Sequence, residues 1–225
     1  MIYKSTGRRA KDFINRIRLF RSEPLPYAFY MLIIWIFIKV KSYLCSIIFK
    51  ADGIIIGPRS IIRGSSYMSF GSNISINGDL WLEAVHTYRG QIFDPFITLG
   101  DHLSLSKNVH ITCINKISIG ANVLIGSQVY ISDHNHGSYV GSYQSHPSEP
   151  PADRLLVSGG PVQIGSNVWI GDNVVIVGPA IIGEGAIIAA NSFVNGDIPA
   201  KAIVAGAPAR IIKHFDDHLG VWTKK

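Results

Sequence analysis

A six-residue period in the aliphatic residues is the feature of this sequence that most restricts its fold. The period is unbroken over residues 164–194, and small or β-branched residues recur four positions after its members. An amphipathic helix would show spacings of three and four residues, and a half-buried strand would alternate every second residue. A period of six instead predicts short parallel strands joined by tight corners, with each strand turning the chain through one third of a coil.

Further runs of the same period extend the prediction toward the N-terminus. They comprise Leu99, Leu105, Ile111 and Ile117, then Ile119, Ile125 and Ile131, and weaker traces at Ile56, Ile62 and Met68 and at Phe70, Ile76 and Leu82. Asparagine tolerates the left-handed backbone of a tight corner, and four corners are predicted at Asn122, Asn167, Asn173 and Asn191. About seventeen hexads are present, and three close one coil. We therefore predict an all-β domain of five to six coils over residues 51–212, followed by a tail at 213–225.

Residues 1–50 differ in composition and are predicted to form a basic and hydrophobic helical extension. Twelve consecutive apolar residues, 27–38, follow two prolines that suit a helix N-terminus. A membrane span needs about 20 apolar residues, so three interpretations stay open: a helix in the membrane interface, a helix packed against the body or a neighbouring subunit, and a true span. Seven Lys and Arg residues precede this segment. These basic residues could form a solvated tail, or they could favour contact of residues 24–49 with an anionic membrane surface. No basic run interleaved with aromatic residues recurs in the body, so we do not expect nucleic-acid binding.

The two regular runs of hexads are separated by residues 132–161. This stretch begins Ser-Asp-His-Asn-His and continues with Tyr, Ser and Pro. Long loops in a compact fold are usually functional or disordered. His134 and His136 stand where the coil opens into this loop, which makes them the first candidates for a functional site.

The repeated pattern Ile-Gly-x-x-Val-x resembles the hexapeptide-repeat acyltransferases, and the resemblance covers about residues 54–212. It implies a left-handed parallel β-helix, an exception to the usual right-handed crossover. Within that family, the histidine before a long loop, the Ile-Gly-x-Asn-Val-Trp-Ile-Gly of residues 164–171 and the Ala-Gly-Ala-Pro-Ala-Arg of residues 205–210 resemble the galactoside, maltose and xenobiotic acetyltransferase branch. Bacterial surface-polysaccharide O-acetyltransferases share this arrangement.

The resemblance implies that His134 is the general base of an acetyl transfer. A sugar hydroxyl attacks a carbonyl poorly until a base accepts its proton, and a free imidazole titrates near pH 6.5, close to working pH. The thioester of acetyl-CoA supplies the activated carbonyl, and a backbone N–H is expected to stabilise the oxyanion. Neither cysteine lies in a matched motif, so we expect direct transfer in a ternary complex, without an acyl-enzyme. We expect no metal site.

Three further residues are expected on the acceptor side of the site. His136 shares a strand face with His134 if the strand continues, and it could equally be a loop histidine. Asp133 could contact the acceptor, orient an imidazole or only begin a turn. Asn108 matches an acceptor-site asparagine of the branch.

Four residues are expected to contact the donor. Trp169 matches a tryptophan that lines the pantetheine channel in the branch, although it could simply cover an outer face. Ala190 matches a corner whose backbone contacts the same arm, and Arg210 matches a basic residue near the phosphates. The branch often has a lysine where this chain has Asn195-Gly196, and Lys201 or Lys213 could compensate for it.

The resemblance also implies a homotrimer in which His134 of one subunit meets Trp169 and Arg210 of another. The leading interpretation is a cytoplasmic O-acetyltransferase, peripheral at the inner face of the membrane, acting on a surface polysaccharide or its lipid-linked precursor. A soluble sugar or amino-sugar N-acetyltransferase is the first alternative. A non-catalytic β-helix scaffold is the second.

Overall fold

The strands follow one another in coils, and three strands make one turn of the chain. The structure is a computed structural model and describes residues 23–224. The first coil contains β1 (Ile55–Ile56), β2 (Ile61–Arg63) and β3 (Met68–Phe70), and the second contains β4 (Ser75–Gly78), β5 (Trp81–Ala84), a hairpin of β6 (Thr87–Tyr88) and β7 (Gln91–Ile92), and β8 (Phe96–Leu99). The third contains β9 (Ser104–Lys107), β10 (His110–Cys113) and β11 (Lys116–Ile119).

The fourth coil contains β12 (Leu124–Ile125), β13 (Tyr130–Ser132), a long loop with β14 (His134–His136) and β15 (Leu156–Ser158), and β16 (Val162–Ile164). The fifth contains β17 (Trp169–Ile170), β18 (Val175–Val177) and β19 (Ala180–Ile182). The sixth contains β20 (Ile187–Ile188) and β21 (Phe193–Val194), and Ile198 bridges to Ile182 in place of a third strand. The chain ends in β22 (Ala202–Ala205), β23 (Arg210–Asp216) and β24 (Val221–Lys224).

Stacking of the coils produces three parallel sheets, here called faces A, B and C. Face A has the order β1-β4-β9-β12-β17-β20-β22, extended by the antiparallel strands β23 and β24. Face B has the order β2-β5-β10-β13-β18-β21, and face C has the order β3-β8-β11-β16-β19. The expected all-β parallel coil with an N-terminal helix is therefore confirmed.

The six-residue period corresponds to the inward positions of these strands. Ile76, Leu105, Ile125, Ile170 and Ile188 occupy equivalent positions on face A, one above another, and each is at most 1% exposed. The predicted asparagine corners are confirmed, because Asn122, Asn167, Asn173 and Asn191 all have φ between +57° and +60°. Coils approach closely at the corners; a Cβ on Gly120 would lie 2.6 Å from the backbone nitrogen of Ser166.

The predicted domain boundary at residue 212 is wrong, because it falls inside β23. Lys213 and His214 pair with β22, and Lys213 to Asp216 pair with β24. The hairpin lacks the hexad period because its strands are antiparallel and add to the end of face A. What we expected to be a tail therefore belongs to the sheet, up to residue 224.

The helix α1 (Leu25–Ile48) covers the open edge of the first coil only with its C-terminal part. Ile56 donates its backbone N–H to the Ser42 Oγ (2.9 Å), on the side of β1 that has no neighbouring strand. Phe49 stacks on Phe70 with ring centroids 4.5 Å apart. These contacts satisfy and cover an edge that would otherwise be free to pair with another chain.

Most of α1 is exposed, although it is apolar around its whole circumference. Leu25, Phe29 and Phe37 are 86%, 65% and 73% exposed. Its 24 residues give a length of about 36 Å, and by length and composition it is the one helix in residues 23–224 that could cross a membrane. The basic residues before position 22 lie outside the described residues.

Candidate active site

His134 lies at the corner between faces B and C of the fourth coil, where the long loop leaves the body. The loop departs along β14 and returns along β15, which pairs with it antiparallel and sets His134 opposite Ser158. Ser132, Asp133 and His134 are all buried, with His134 9% exposed. The break in the repeat thus places a histidine at the mouth of the loop, held by strands on both sides.

The carboxylate of Asp133 is the most heavily bonded group at this corner. It is fully buried and accepts hydrogen bonds from the backbone N–H groups of the corner directly adjacent in the third coil. The donors are Ile114 N at 2.9 Å and Asn115 N and Lys116 N at 2.8 Å, together with Cys113 Sγ at 3.2 Å. Stacked corners therefore form an anion-binding cradle that one coil supplies to a side chain of the next.

The same carboxylate orients the imidazole of His134. Nδ1 of His134 lies 2.9 Å from Oδ1 of Asp133. Burial alone would raise the pKa of Asp133, but the bonds from His134 and from the backbone of Ile114 and Asn115 outweigh burial and lower it below its ordinary value. An ionised carboxylate can only accept, so Nδ1 carries the proton and Nε2 is left free to act as a base.

Asp133 cannot contact an acceptor, because none of its surface is exposed. The sequence-based expectation of acceptor binding is therefore wrong for this residue. Asp133 orients an imidazole, which was one of the other interpretations. The direction in which its side chain points depends on the corner geometry, which the period alone does not specify.

Cys113 is in contact with this pair but has the wrong chemistry for a nucleophile. Burial, followed by the charge and hydrogen bond of Asp133, raises the pKa of its thiol far above the ordinary value. A thiol becomes nucleophilic only as a thiolate. Its environment therefore agrees with a transfer that forms no acyl-enzyme on cysteine.

A pocket of about 450 Å³ opens beside His134 on face B. Its walls come from outward residues of three neighbouring strands, from the hairpin and from the loop: Trp81, Glu83, Val85, Thr87, Tyr88, His110, Thr112, Tyr130, His134, Asn135, His136 and Leu156. His136 is exposed and lines this pocket. Asn108 does not line it, and stands on the exposed corner before β10 with φ +56°.

The hairpin of β6 and β7 forms a second wall that the sequence analysis missed. The amide side chain of Gln91 donates to the carbonyl of Leu156 (3.0 Å) and accepts from its N–H (2.8 Å). Arg89 forms an ion pair of 2.7 Å with Asp153. Tyr88 donates to the carbonyl of Ala152 (2.8 Å), and its ring meets His136 edge-on. The signal for this hairpin was present as the interruption of the six-residue period between Leu82 and Leu99.

The four residues expected to bind the donor lie on another side of the chain. Trp169 is half exposed on face A, Ala190 is exposed at the corner after β20, and Arg210 is exposed at the start of β23. Lys201 precedes β22, and its ammonium is paired with Asp217. In a three-sided coil, face A is opposite the corner between faces B and C. One chain alone therefore does not bring these residues to His134.

The described residues contain no group of three or more His, Cys, Asp or Glu side chains arranged to hold a metal ion. His110, His134 and His136 all line the pocket without forming such a group. The polar chemistry of the site consists of a histidine oriented by a buried carboxylate and a pocket beside it. Together with the fold, these features define the class: a parallel β-helix with a site that can accept a proton from a bound group.

Comparison with known proteins agrees with this class. The model of the bacterial transferase hexapeptide family (six repeats) matches residues 161–196. The putative lipopolysaccharide biosynthesis O-acetyl transferase WbbJ of Escherichia coli (strain K12) is 38% identical over 186 residues, which cover 82% of this chain and 91% of that protein. This chain therefore belongs to the bacterial hexapeptide-repeat transferase family, as an acyltransferase.

Solved structures show the same fold. The hexapeptide-repeat acetyltransferase VCA0836 of Vibrio cholerae O1 biovar eltor, in complex with acetyl-coenzyme A, is 25% identical with a TM-score of 0.52, over 80% of this chain and 79% of that one. The D94N mutant of the N-acyltransferase AntD of Bacillus cereus has a TM-score of 0.61 at 20% identity, covering 75% of this chain and 85% of that one. At that identity the second comparison concerns the fold only.

Replacement of Asp133 tests the cradle. Asp133→Asn sets an amide NH₂ against backbone donors, and we expect the free energy of unfolding at pH 7 to fall by on the order of 3 kcal/mol. Because the folded pKa of Asp133 is lowered, its contribution is fully present above the unfolded value of about 3.9 and is lost as pH falls through the folded pKa. Urea unfolding from pH 7 down to pH 3 measures both effects.

The control is Asp94→Asn, which changes an exposed carboxylate. It should leave stability at pH 7 and its loss on acidification close to those of the native chain. If Asp133→Asn and the native chain lose stability on acidification by equal amounts, the carboxylate does not stabilise the fold in the way described.

Proposed function

We propose that this protein transfers an acetyl group from acetyl-CoA to a hydroxyl of a bacterial surface-polysaccharide sugar, or of its lipid-linked precursor. The observation that carries the proposal is the buried pair of Asp133 and His134 at the edge of a pocket. Similarity to a protein named as a lipopolysaccharide O-acetyl transferase supports the acceptor class. Similarity to a structure that holds acetyl-coenzyme A supports the donor.

The proposed mechanism follows from the free nitrogen of His134. Nε2 accepts the proton of the acceptor hydroxyl as the oxygen attacks the thioester carbonyl. A C–O bond forms, and a backbone N–H stabilises the tetrahedral oxyanion. The C–S bond then breaks, and the imidazolium returns its proton to the sulfur of CoA. The ionised Asp133 stabilises the imidazolium between these steps, and no proton passes to Asp133.

Family membership supports two features of the assembly. We assign the coil a left-handed winding, which the family shares. We also propose a homotrimer whose three active sites lie between subunits, with His134 and the pocket on one chain and Trp169, Ala190 and Arg210 on its neighbour. The placement of these residues on opposite sides of one chain supports a shared site. In this arrangement Trp169 lines the pantetheine channel, and Lys201 reaches the phosphates only if it leaves Asp217.

The exposed part of α1 supports a position at the membrane. We propose that it lies in the interface at the cytoplasmic face of the membrane, where the acceptor would be lipid-linked. Its C-terminal part is held on the body by the bond from Ile56 to Ser42. The remaining length presents apolar side chains in every direction, and burial of this surface in the interface stabilises attachment.

Loss of the base should abolish transfer. For His134→Ala we expect kcat to fall by about 10²–10⁴-fold, with the KM for acetyl-CoA little changed because the imidazole acts on the acceptor proton. Mass spectrometry of surface glycans from cells carrying the native or variant gene measures the acetyl groups directly. His218→Ala, which removes an exposed histidine far along the chain, is the control. Glycans that keep their acetyl groups in the His134→Ala strain would overturn the proposal.

Mixed trimers test the shared site. Subunits with His134→Ala retain Trp169, and subunits with Trp169→Ala retain the base. Random 1:1 mixing in a cyclic trimer should therefore restore about a quarter of the native specific activity, measured as CoA release at low acetyl-CoA. Each parent refolded alone is the control. A mixture no more active than the mean of its parents means that each site lies within one subunit.

Attachment to the membrane is expected to depend on the exposed length of α1. The native chain should float with phospholipid vesicles and be released by a carbonate wash, as an interfacial helix would be. Phe37→Lys places a charge on the exposed surface and should shift the protein to the soluble fraction. Leu219→Lys, at an exposed apolar residue of the body, should not. Retention after the carbonate wash would instead indicate a span.

A further inference from the structure

Three ring-bearing side chains form a row on the outer surface of face B. Trp81, His110 and Tyr130 are the first residues of β5, β10 and β13 and are paired in register. The ring centroids of Trp81 and His110 are 5.2 Å apart, and those of His110 and Tyr130 are 5.1 Å apart. Since neighbouring strands are about 4.8 Å apart, the row extends about 10 Å from the fourth coil toward the first. Its end in the fourth coil, Tyr130, lines the same pocket as His134.

Polar side chains border this row. The indole N–H of Trp81 donates to Oε2 of Glu83 (2.8 Å), and Arg63 lies 3.8 Å from Oε1 of the same carboxylate. Two residues after the ring positions, Thr112 of β10 is paired in register with Glu83 of β5 on one side and Ser132 of β13 on the other. Burial lowers the pKa of His110, and the nearby charge of Glu83 only partly opposes this effect. At neutral pH its imidazole is therefore neutral and offers one donor and one acceptor. The row therefore combines three planar rings with hydrogen-bonding groups at their edges.

The row exists on only one side of His134. Beyond the fourth coil, the equivalent outward positions of face B are Val175, Val177 and Phe193, which have no hydrogen-bonding side-chain atoms. The other side leads through Trp81 to Arg63 in the first coil, against which α1 packs. The surface on the α1 side of the base thus combines rings with hydrogen-bonding groups, whereas the surface on the other side offers only the hydrocarbon side chains of Val175, Val177 and Phe193.

We propose that this row is a set of acceptor subsites that binds the sugars adjoining the reacting one, on the α1 side of His134. The proposal rests on the proposed function and adds that the acceptor is an oligosaccharide or longer chain. A sugar ring has a C–H face that packs on an aromatic ring, and hydroxyls that need the partners found at the ring edges. Trp81, His110 and Tyr130 are binding residues here, whereas His134 is the catalytic one.

The direction of the row fits an acceptor held at a membrane. The first and fourth coils are separated by three strand spacings, about 15 Å. A glycan anchored on the α1 side would lie along face B and present one hydroxyl to His134. The hairpin carrying Tyr88, bonded to the long loop at Ala152, forms the outer wall beside its reacting end.

The test compares two acceptors from one source. Polysaccharide of the host bacterium is freed of ester groups by mild alkali, and part of it is hydrolysed by acid to monosaccharides. For Trp81→Ala we expect the KM for the polysaccharide to rise at least tenfold, and by a much larger factor than the KM for the monosaccharides, because a monosaccharide occupies the reacting position next to His134 at the other end of the row. Trp81→Phe, which keeps a ring, should restore most of the affinity.

The matched control is Phe96→Ala, which removes an exposed aromatic side chain of the same coil from face C. It should leave the KM for both acceptors unchanged. If Trp81→Ala leaves the polysaccharide KM unchanged, or weakens both acceptors equally, the subsites do not exist. Saturation-transfer NMR with the polysaccharide separates this proposal from the function. If the native protein binds the polysaccharide but acetylates neither acceptor, and Trp81→Ala abolishes that binding, the subsites exist and the transferase proposal is refuted. Binding that Trp81→Ala leaves intact refutes the subsites.

Discussion

The hydrogen bonds between equivalent strands of successive coils are the interaction on which the rest of this structure depends. Each coil must present its backbone to the next in the same register, so inward positions repeat as columns of Ile, Leu and Val. Extra residues therefore enter only at corners, where no strand pairing is lost. Both insertions of this chain, the hairpin and the long loop, leave between faces B and C. That shared exit brings them together, and the pocket lies beneath them.

The same stacking explains how a charged group is buried at the site. Asp133 leaves solvent completely, a change that is costly for a carboxylate unless donors replace water. The corner of the third coil supplies three backbone N–H groups, because its chain turns directly beside the carboxylate. An ionised Asp133 then selects the tautomer of His134. Stability and chemistry are thus linked through one side chain that bonds to two coils.

Several elements of this account were predictable from residue order alone. The six-residue period predicted the coil, and asparagines predicted four left-handed corners. The interruption at residues 132–161 drew attention to His134. Other elements were not predictable, because the six-residue period does not restrict which residue types occupy the outward positions. Trp81, His110 and Tyr130 lie on three different coils, and only the register of face B places them in one row. The function of Asp133 was left open for a related reason, since either neighbouring corner could have faced it.

The sequence by itself determined that this chain forms a repeating coil and that its regularity fails at a histidine, because both follow from spacing along the chain. Only the tertiary structure decided what surrounds that histidine. Trp81, Tyr88 and His110 line one pocket with His134 because stacked coils bring equivalent positions together, and because side chains of the hairpin bond to the long loop. The tertiary structure also decided that β23 and β24 extend face A, since antiparallel strands do not produce a six-residue period in the sequence. The physical reason is the same in each case: a period specifies which side chains point inward, whereas the neighbours of an outward side chain depend on strand register and on where each insertion folds back.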